Sequence, residues 1–115
     1  MAETSEMDSN EIIGSVTIAA SAKLSSAFNL GGYMLKLIKV PAAFSGTALK
    51  IKVATTDTSA EYTYLYKTGA DVSFTVAASK AVDVFDSHIC ARWIKIESQT
   101  TEGAARTVQI TAVRW

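Results

Sequence analysis

From about residue 13 onward the chain alternates apolar and polar residues in short runs, as in Leu49-Lys50-Ile51-Lys52-Val53, Val72-Ser73-Phe74-Thr75-Val76 and Val108-Gln109-Ile110-Thr111-Ala112. Successive side chains of a β-strand point to opposite faces, so a period of two gives each run one greasy and one wet face. A helix needs a period of 3.6, and the helix-friendly stretches at Ala42-Ala43 and Ala77-Ala78 are too short to nucleate one. The pattern therefore predicts an all-β chain with half-buried strands.

The runs fall at 12–20, 27–30, 33–40, 48–55, 62–67, 72–77, 80–85, 91–98 and 106–115. Between them lie turn signals such as Gly31-Gly32, Pro41, Ser45-Gly46, Gly69 and Gly103. Eight or nine strands at roughly 8–12-residue spacing fit a sandwich or barrel. We expect an antiparallel two-sheet sandwich of jelly-roll type with about eight strands; a closed up-and-down barrel is the competing arrangement. Residues 33–40 lose alternation at Leu37-Ile38, which points to a bulge or to burial on both faces. Residues 62–67 and 72–77 read as a hairpin joined by Thr68-Gly69-Ala70-Asp71.

With 115 residues the chain makes one domain, long enough to bury roughly 65% of its unfolded surface without metal or disulfide staples. The formal net charge is zero, which supplies no global field toward nucleic acid or an anionic membrane. The charge is nevertheless uneven. Residues 1–12 hold Glu3, Glu6, Asp8 and Glu11 and no Lys or Arg, so the rest carries all 11 basic but only 7 of 11 acidic side chains, a net of +4. Residues 1–11 lack apolar periodicity and read as a flexible acidic arm, either a frayed end or a segment that docks on a neighbouring subunit. The β domain is expected to span 12–115. No basic region followed by an apolar stretch marks a signal peptide, and no apolar run approaches the roughly 20 residues of a membrane span. Folding in a reducing cytoplasm is the expectation.

The chemistry-bearing residues give little. Cys90 is the sole cysteine, which excludes an internal disulfide; inside a strand-like run it is expected to be a buried, inert thiol. His88 is the sole histidine, and although Asp83 or Asp86 stands near it in sequence, no Gly-x-Ser-x-Gly elbow supplies a nucleophile. Asp57, Glu61, Asp71, Asp83 and Asp86 sit in or beside loops without calcium-loop spacing. Gly31-Gly32 is neither a dinucleotide nor a Walker loop. No catalytic, metal or cofactor site is expected.

Two surface signals remain. Tyr62, Tyr64 and Tyr66 share one face of a single predicted strand, with Leu65 on the other; they suit a subunit interface, ordinary packing, or a platform that stacks sugars. Lys50 and Lys52 share a strand face, with Lys36, Lys39 and Lys95 on other strands. They form a basic sheet face or simply guard against edge-to-edge aggregation.

One ordered set of pieces resembles a known group. Leu30-Gly31-Gly32 opens a strand; Pro41-Ala42-Ala43-Phe44 makes a turn into Ser45-Gly46-Thr47-Ala48-Leu49-Lys50-Ile51. Tyr62-Thr63-Tyr64-Leu65-Tyr66, Val72 to Ser79, Trp93-Ile94-Lys95-Ile96-Glu97-Ser98 and Arg106 to Ile110 follow. Over about residues 28–115 this order resembles small jelly-roll structural proteins encoded among the virion genes of tailed bacteriophages and prophages. The resemblance implies a non-enzymatic virion component, made in the host bacterial cytoplasm. A capsid decoration or cement protein fits first, with a tail or fibre accessory beside it. It implies the major capsid protein or another virion protein as partner, self-association with a trimer favoured, and no nucleic acid, membrane or cofactor. The acidic arm (Glu3, Glu6, Asp8, Glu11) and the tyrosines (Tyr62, Tyr64, Tyr66) are the expected contact residues. The alternative is a carbohydrate-binding sandwich that uses Tyr62, Tyr64 or Trp93.

Overall fold

The computed structural model describes residues 10–114. Its strands are β1 (Glu11–Ile18), β2 (Phe28–Asn29), β3 (Met34–Lys39), β4 (Ala48–Ala54), β5 (Thr63–Tyr64), β6 (Tyr66–Lys67), β7 (Ala70–Asp71), β8 (Ser73–Thr75), β9 (Ala81–Asp83), β10 (Trp93–Ser98) and β11 (Arg106–Val113). Two 3₁₀ turns, Ser59–Glu61 and Phe85–Ser87, add the only helical residues among those described.

All pairings are antiparallel. One sheet runs β1-β11-β3-β9; the other runs β2-β10-β4-β5, with β8 also on β4. The pairs nest: β1 with β11, β2 with β10, β3 with β9, and β4 with β5 and β8. A chain whose two halves pair in this nested order is one long hairpin wound into two sheets, which is a jelly roll and not an up-and-down barrel. The sandwich follows from the alternation. Ile94 and Ile96 of β10, Leu49 and Ile51 of β4, Val108 and Ile110 of β11, and Val16 and Ile18 of β1 all point inward and are essentially fully buried. Each such side chain contributes about 1.5–3 kcal/mol relative to exposure.

Four expectations are revised. Glu11, placed in the arm, is the first residue of β1 and pairs with Val113, while Asn10 O accepts from Arg114 N at 2.9 Å. Glu3, Glu6 and Asp8 lie outside the described residues. The expected strand over 62–67 breaks at Leu65, whose amide turns to donate to Ile51 O at 2.9 Å. The hairpin then closes through Thr68-Gly69 alone, with Tyr66 opposite Asp71 and Lys67 opposite Ala70. Thr68 (φ 54°) and Gly69 (φ 87°) adopt the two positive φ angles that suit a tight two-residue connection. Cys90 is exposed, with its thiol 3.9 Å from Tyr33 O. The strand begins only at Trp93, and Ile89 takes the core position while its carbonyl accepts from Leu35 N, which turns Cys90 outward. The lost alternation in β3 is a bulge: Thr111 pairs with Leu37 and Ala112 with Leu35, which leaves Lys36 as the extra residue.

Candidate functional site: the outer face of the five-stranded sheet

The alternation that buries Ile94 and Ile96 sends Trp93, Lys95 and Glu97 outward, and in the same way Lys50, Lys52 and Ala54 leave β4 on that face. Register aligns Lys95 with Lys52 and Tyr64, and Glu97 with Lys50 and Ser73. Three lysines on adjacent positions would repel one another, and the tyrosines and carboxylates resolve this.

Tyr64 reaches from β5 across β4 to β10. Its hydroxyl donates to Glu97 Oε1 at 2.6 Å, and its ring packs under Lys52 Nζ at 4.7 Å and Lys50 Nζ at 5.2 Å from the centroid. Lys50 also meets Asp71 Oδ2 at 3.2 Å, a half-exposed pair that contributes little by itself. Lys95 Nζ sits 4.5 Å from the Tyr62 ring centroid, and the Tyr62 hydroxyl donates to Asp57 Oδ1 at 2.9 Å. Burial, then the hydrogen bond to Asp57 and its charge, push the Tyr62 phenol up to about 12. The hydrogen bond to Glu97 raises that of Tyr64. Lys50, Lys52 and Lys95 are thus matched by Asp57, Asp71 and Glu97, and the face is a locked, charge-balanced array instead of a basic patch. Beside it lies an open depression of about 320 Å³ lined by Lys23, Ala48, Lys50, Ser73, Glu97, Ser98 and Gln99.

At the end of this sheet stands a residue that the alternation could not flag. Glu102, in the connection from β10 to β11, has no solvent exposure. Its carboxylate accepts from Ser45 N (3.1 Å), Ser45 Oγ (3.0 Å), Gly46 N (3.2 Å), Ser98 Oγ (3.2 Å) and Arg106 Nε (3.0 Å). Burial alone would raise its pKa, but the bonds from Ser45, Arg106 and Ser98 outweigh it and hold the carboxyl below the ordinary glutamate range. Gly46 must be glycine for this approach, because an added Cβ would run into Ser98 Oγ and the Phe44 ring. Glu102 ties the turn before β4 to the turn after β10, and so fixes the depression's rim.

The remaining candidates disperse. Tyr62 and Tyr64 lie on the outer face, but Tyr62 is only 7% exposed, with Lys95 over its ring, and so is not the displayed contact residue expected of it. Tyr66, on the β6–β7 hairpin and 66% exposed, lines a separate depression with Val53, His88 and Cys90. The three tyrosines therefore do not form one platform. His88 caps the second 3₁₀ turn in a left-handed conformation, and Asp83 Oδ1 accepts from Phe85 N at 3.0 Å as part of the same turn. Among the described residues no three His, Cys, Asp or Glu side chains cluster in a way that could hold a metal ion. No helix there is long and apolar enough to cross a membrane.

No protein-family model matches the chain, and no curated protein is significantly similar to it. Among solved structures it is similar to the cupin domain of Schizosaccharomyces pombe Cnp3, with a TM-score of 0.45 and 10% identity. The match covers 94% of this chain and 55% of that one, so the chain spans about half the length of that structure.

Proposed function

We propose that this chain is a non-enzymatic structural protein whose jelly roll docks on a larger assembly, and that the assembly is the head of a tailed bacteriophage. The observation that carries the docking reading is the pre-locked outer face. Tyr64 is held by Glu97, Lys50 and Lys52 before any partner arrives. Side chains that are already ordered lose little conformational entropy on binding, which favours a surface built to be covered. Tyrosines are also among the residue types that carry interface energy. The virion setting rests on the ordered resemblance over residues 28–115, and a decoration or cement role is its best fit.

Mass spectrometry and cryo-electron microscopy of purified phage particles test the reading. The protein should be present in intact particles and seated through the β4–β10 face. Tyr64→Ala should reduce its occupancy at least about tenfold, the equivalent of one lost interface anchor. Its absence from intact particles overturns the proposal. Glycan-array binding that vanishes in Tyr64→Ala would replace it with a carbohydrate-binding reading.

A further inference from the structure

Four of the five outer strands of the sandwich are blunted by shortness, β8 among them with three residues, and one is not. β2 and β5 have two residues each and β9 has three, whereas β1 is an eight-residue outer strand with no proline, no bulge and no lysine. Those omissions are the ones that natural sheets use to prevent edge pairing.

The register shows which groups are free. Arg114 N donates to Asn10 O, so even-numbered residues of β1 bond to β11 and odd-numbered residues aim their N–H and C=O away from the sheet. Thr17 is covered, since its N–H donates to Ser26 Oγ at 3.0 Å and its carbonyl accepts from Ser26 N at 2.9 Å. Glu11, Ile13 and Ser15 have no such backbone partner among the described residues. At the centre of this free stretch is Ile13, the most exposed large hydrophobic residue described, at 69%.

We propose that this edge pairs with the same edge of a second copy, antiparallel about a two-fold axis through Ile13. Ile13 then faces its own counterpart, and Glu11 faces the partner copy's Ser15 on each side. Three outward residues per strand, each in a narrow pair, exchange six backbone hydrogen bonds. The charges select this occupant: no like charges oppose one another, and each Glu11 carboxylate meets a serine hydroxyl. Thr17, covered by Ser26, bounds the stretch on one side, and the two-fold about Ile13 leaves Thr17 out of the new pairing. The outer-face row Ile13–Thr111–Leu37 continues into its copy as one β-branched and apolar stripe. The two four-stranded sheets become one of eight strands. An edge of this length buries less than the roughly 1,200 Å² of a standard stable interface, so the dimer is weak and concentration-dependent. The inference does not rest on the virion reading.

Sedimentation equilibrium on the full chain between micromolar and millimolar concentration tests it. A reversible dimer is expected. Ile13→Lys and Ser15→Pro should each weaken it at least about tenfold, the first by opposing like charges and the second by removing an outward N–H. Both should leave the denaturant midpoint nearly unchanged, because neither residue gives a backbone hydrogen bond to β11. A mixture of Ile13→Lys with Ile13→Glu should restore association, which only a register placing residue 13 opposite itself predicts. A monomer throughout, a dimer untouched by both variants, a trimer, or failure of the mixed charges to rescue overturns the proposal. So does a full chain that dimerises only after residues 1–9 are removed, since its own arm would then occupy the edge.

Discussion

Glu102 is a carboxylate with no solvent exposure that gathers five hydrogen bonds. They come from Ser45 and Gly46 in the turn before β4, from Ser98 at the end of β10 and from Arg106 at the start of β11, and a buried carboxylate stripped of such partners is costly. Glu102→Ala should lower unfolding free energy by about 3 kcal/mol, read as a shift in urea midpoint, with Glu102→Gln intermediate. The sign of the pH effect follows from the depressed carboxyl. Its stabilisation is complete above the ordinary glutamate value of 4.5 and is lost as pH falls below it toward the folded-state value. The acid limb of the stability curve should therefore flatten in Glu102→Gln. Tyr62 works in the opposite direction. A phenol raised from 10.0 to about 12 stabilises fully below pH 10 and ceases to do so between 10 and about 12. Tyrosinate absorbance should show a late-titrating component that disappears in Tyr62→Phe and moves to lower pH in Asp57→Asn. Glu102 was illegible in the sequence because Ser45 and Gly46 stand 57 and 56 positions away, and nothing in the local pattern of a polar loop announces them.

At the scale of elements, period-two reading located nearly every strand, since burial on one face is what writes that period into a sequence. It failed where the backbone leaves the ladder. Leu65 gives its amide to Ile51 and splits a run that looked continuous, so Tyr66 parts from Tyr62 and Tyr64. Cys90 sits before the strand starts, and an apolar-looking run did not reveal that Ile89 alone turns inward. The hairpin turn offers a direct check. Thr68 holds φ 54° at a position where asparagine and glycine are preferred. Thr68→Asn should stabilise the hairpin by about 0.5–1 kcal/mol. Gly69→Val should weaken it by about 1–2 kcal/mol. Hydrogen exchange at the Tyr66–Asp71 amides reads both.

For the molecule as a whole, the nested pairing sets how it must fold. The partners in β1 and β11 stand 88 to 102 positions apart in the chain, so a large loop closes before that ladder gains anything. Refolding followed by intrinsic fluorescence should be slow for the chain's size, on the order of milliseconds to seconds, as for other non-local β topologies. The two-sheet architecture was readable from strand number and spacing. The outer face was only half readable: alternation placed Lys50 and Lys52 on one side of their strand, but the register that sets Lys95 and Glu97 beside them and the reach of Tyr64 across β4 are tertiary facts. The pairing of Asn10 with Arg114 has a mechanical consequence. Both ends of the described chain leave from the same end of one antiparallel ladder, so tension applied between them loads its hydrogen bonds one pair at a time. The domain would open like a zipper at low force. Tension applied instead within the five-stranded sheet, along β4 and β10 in opposite directions, would have to shear six residue pairs together.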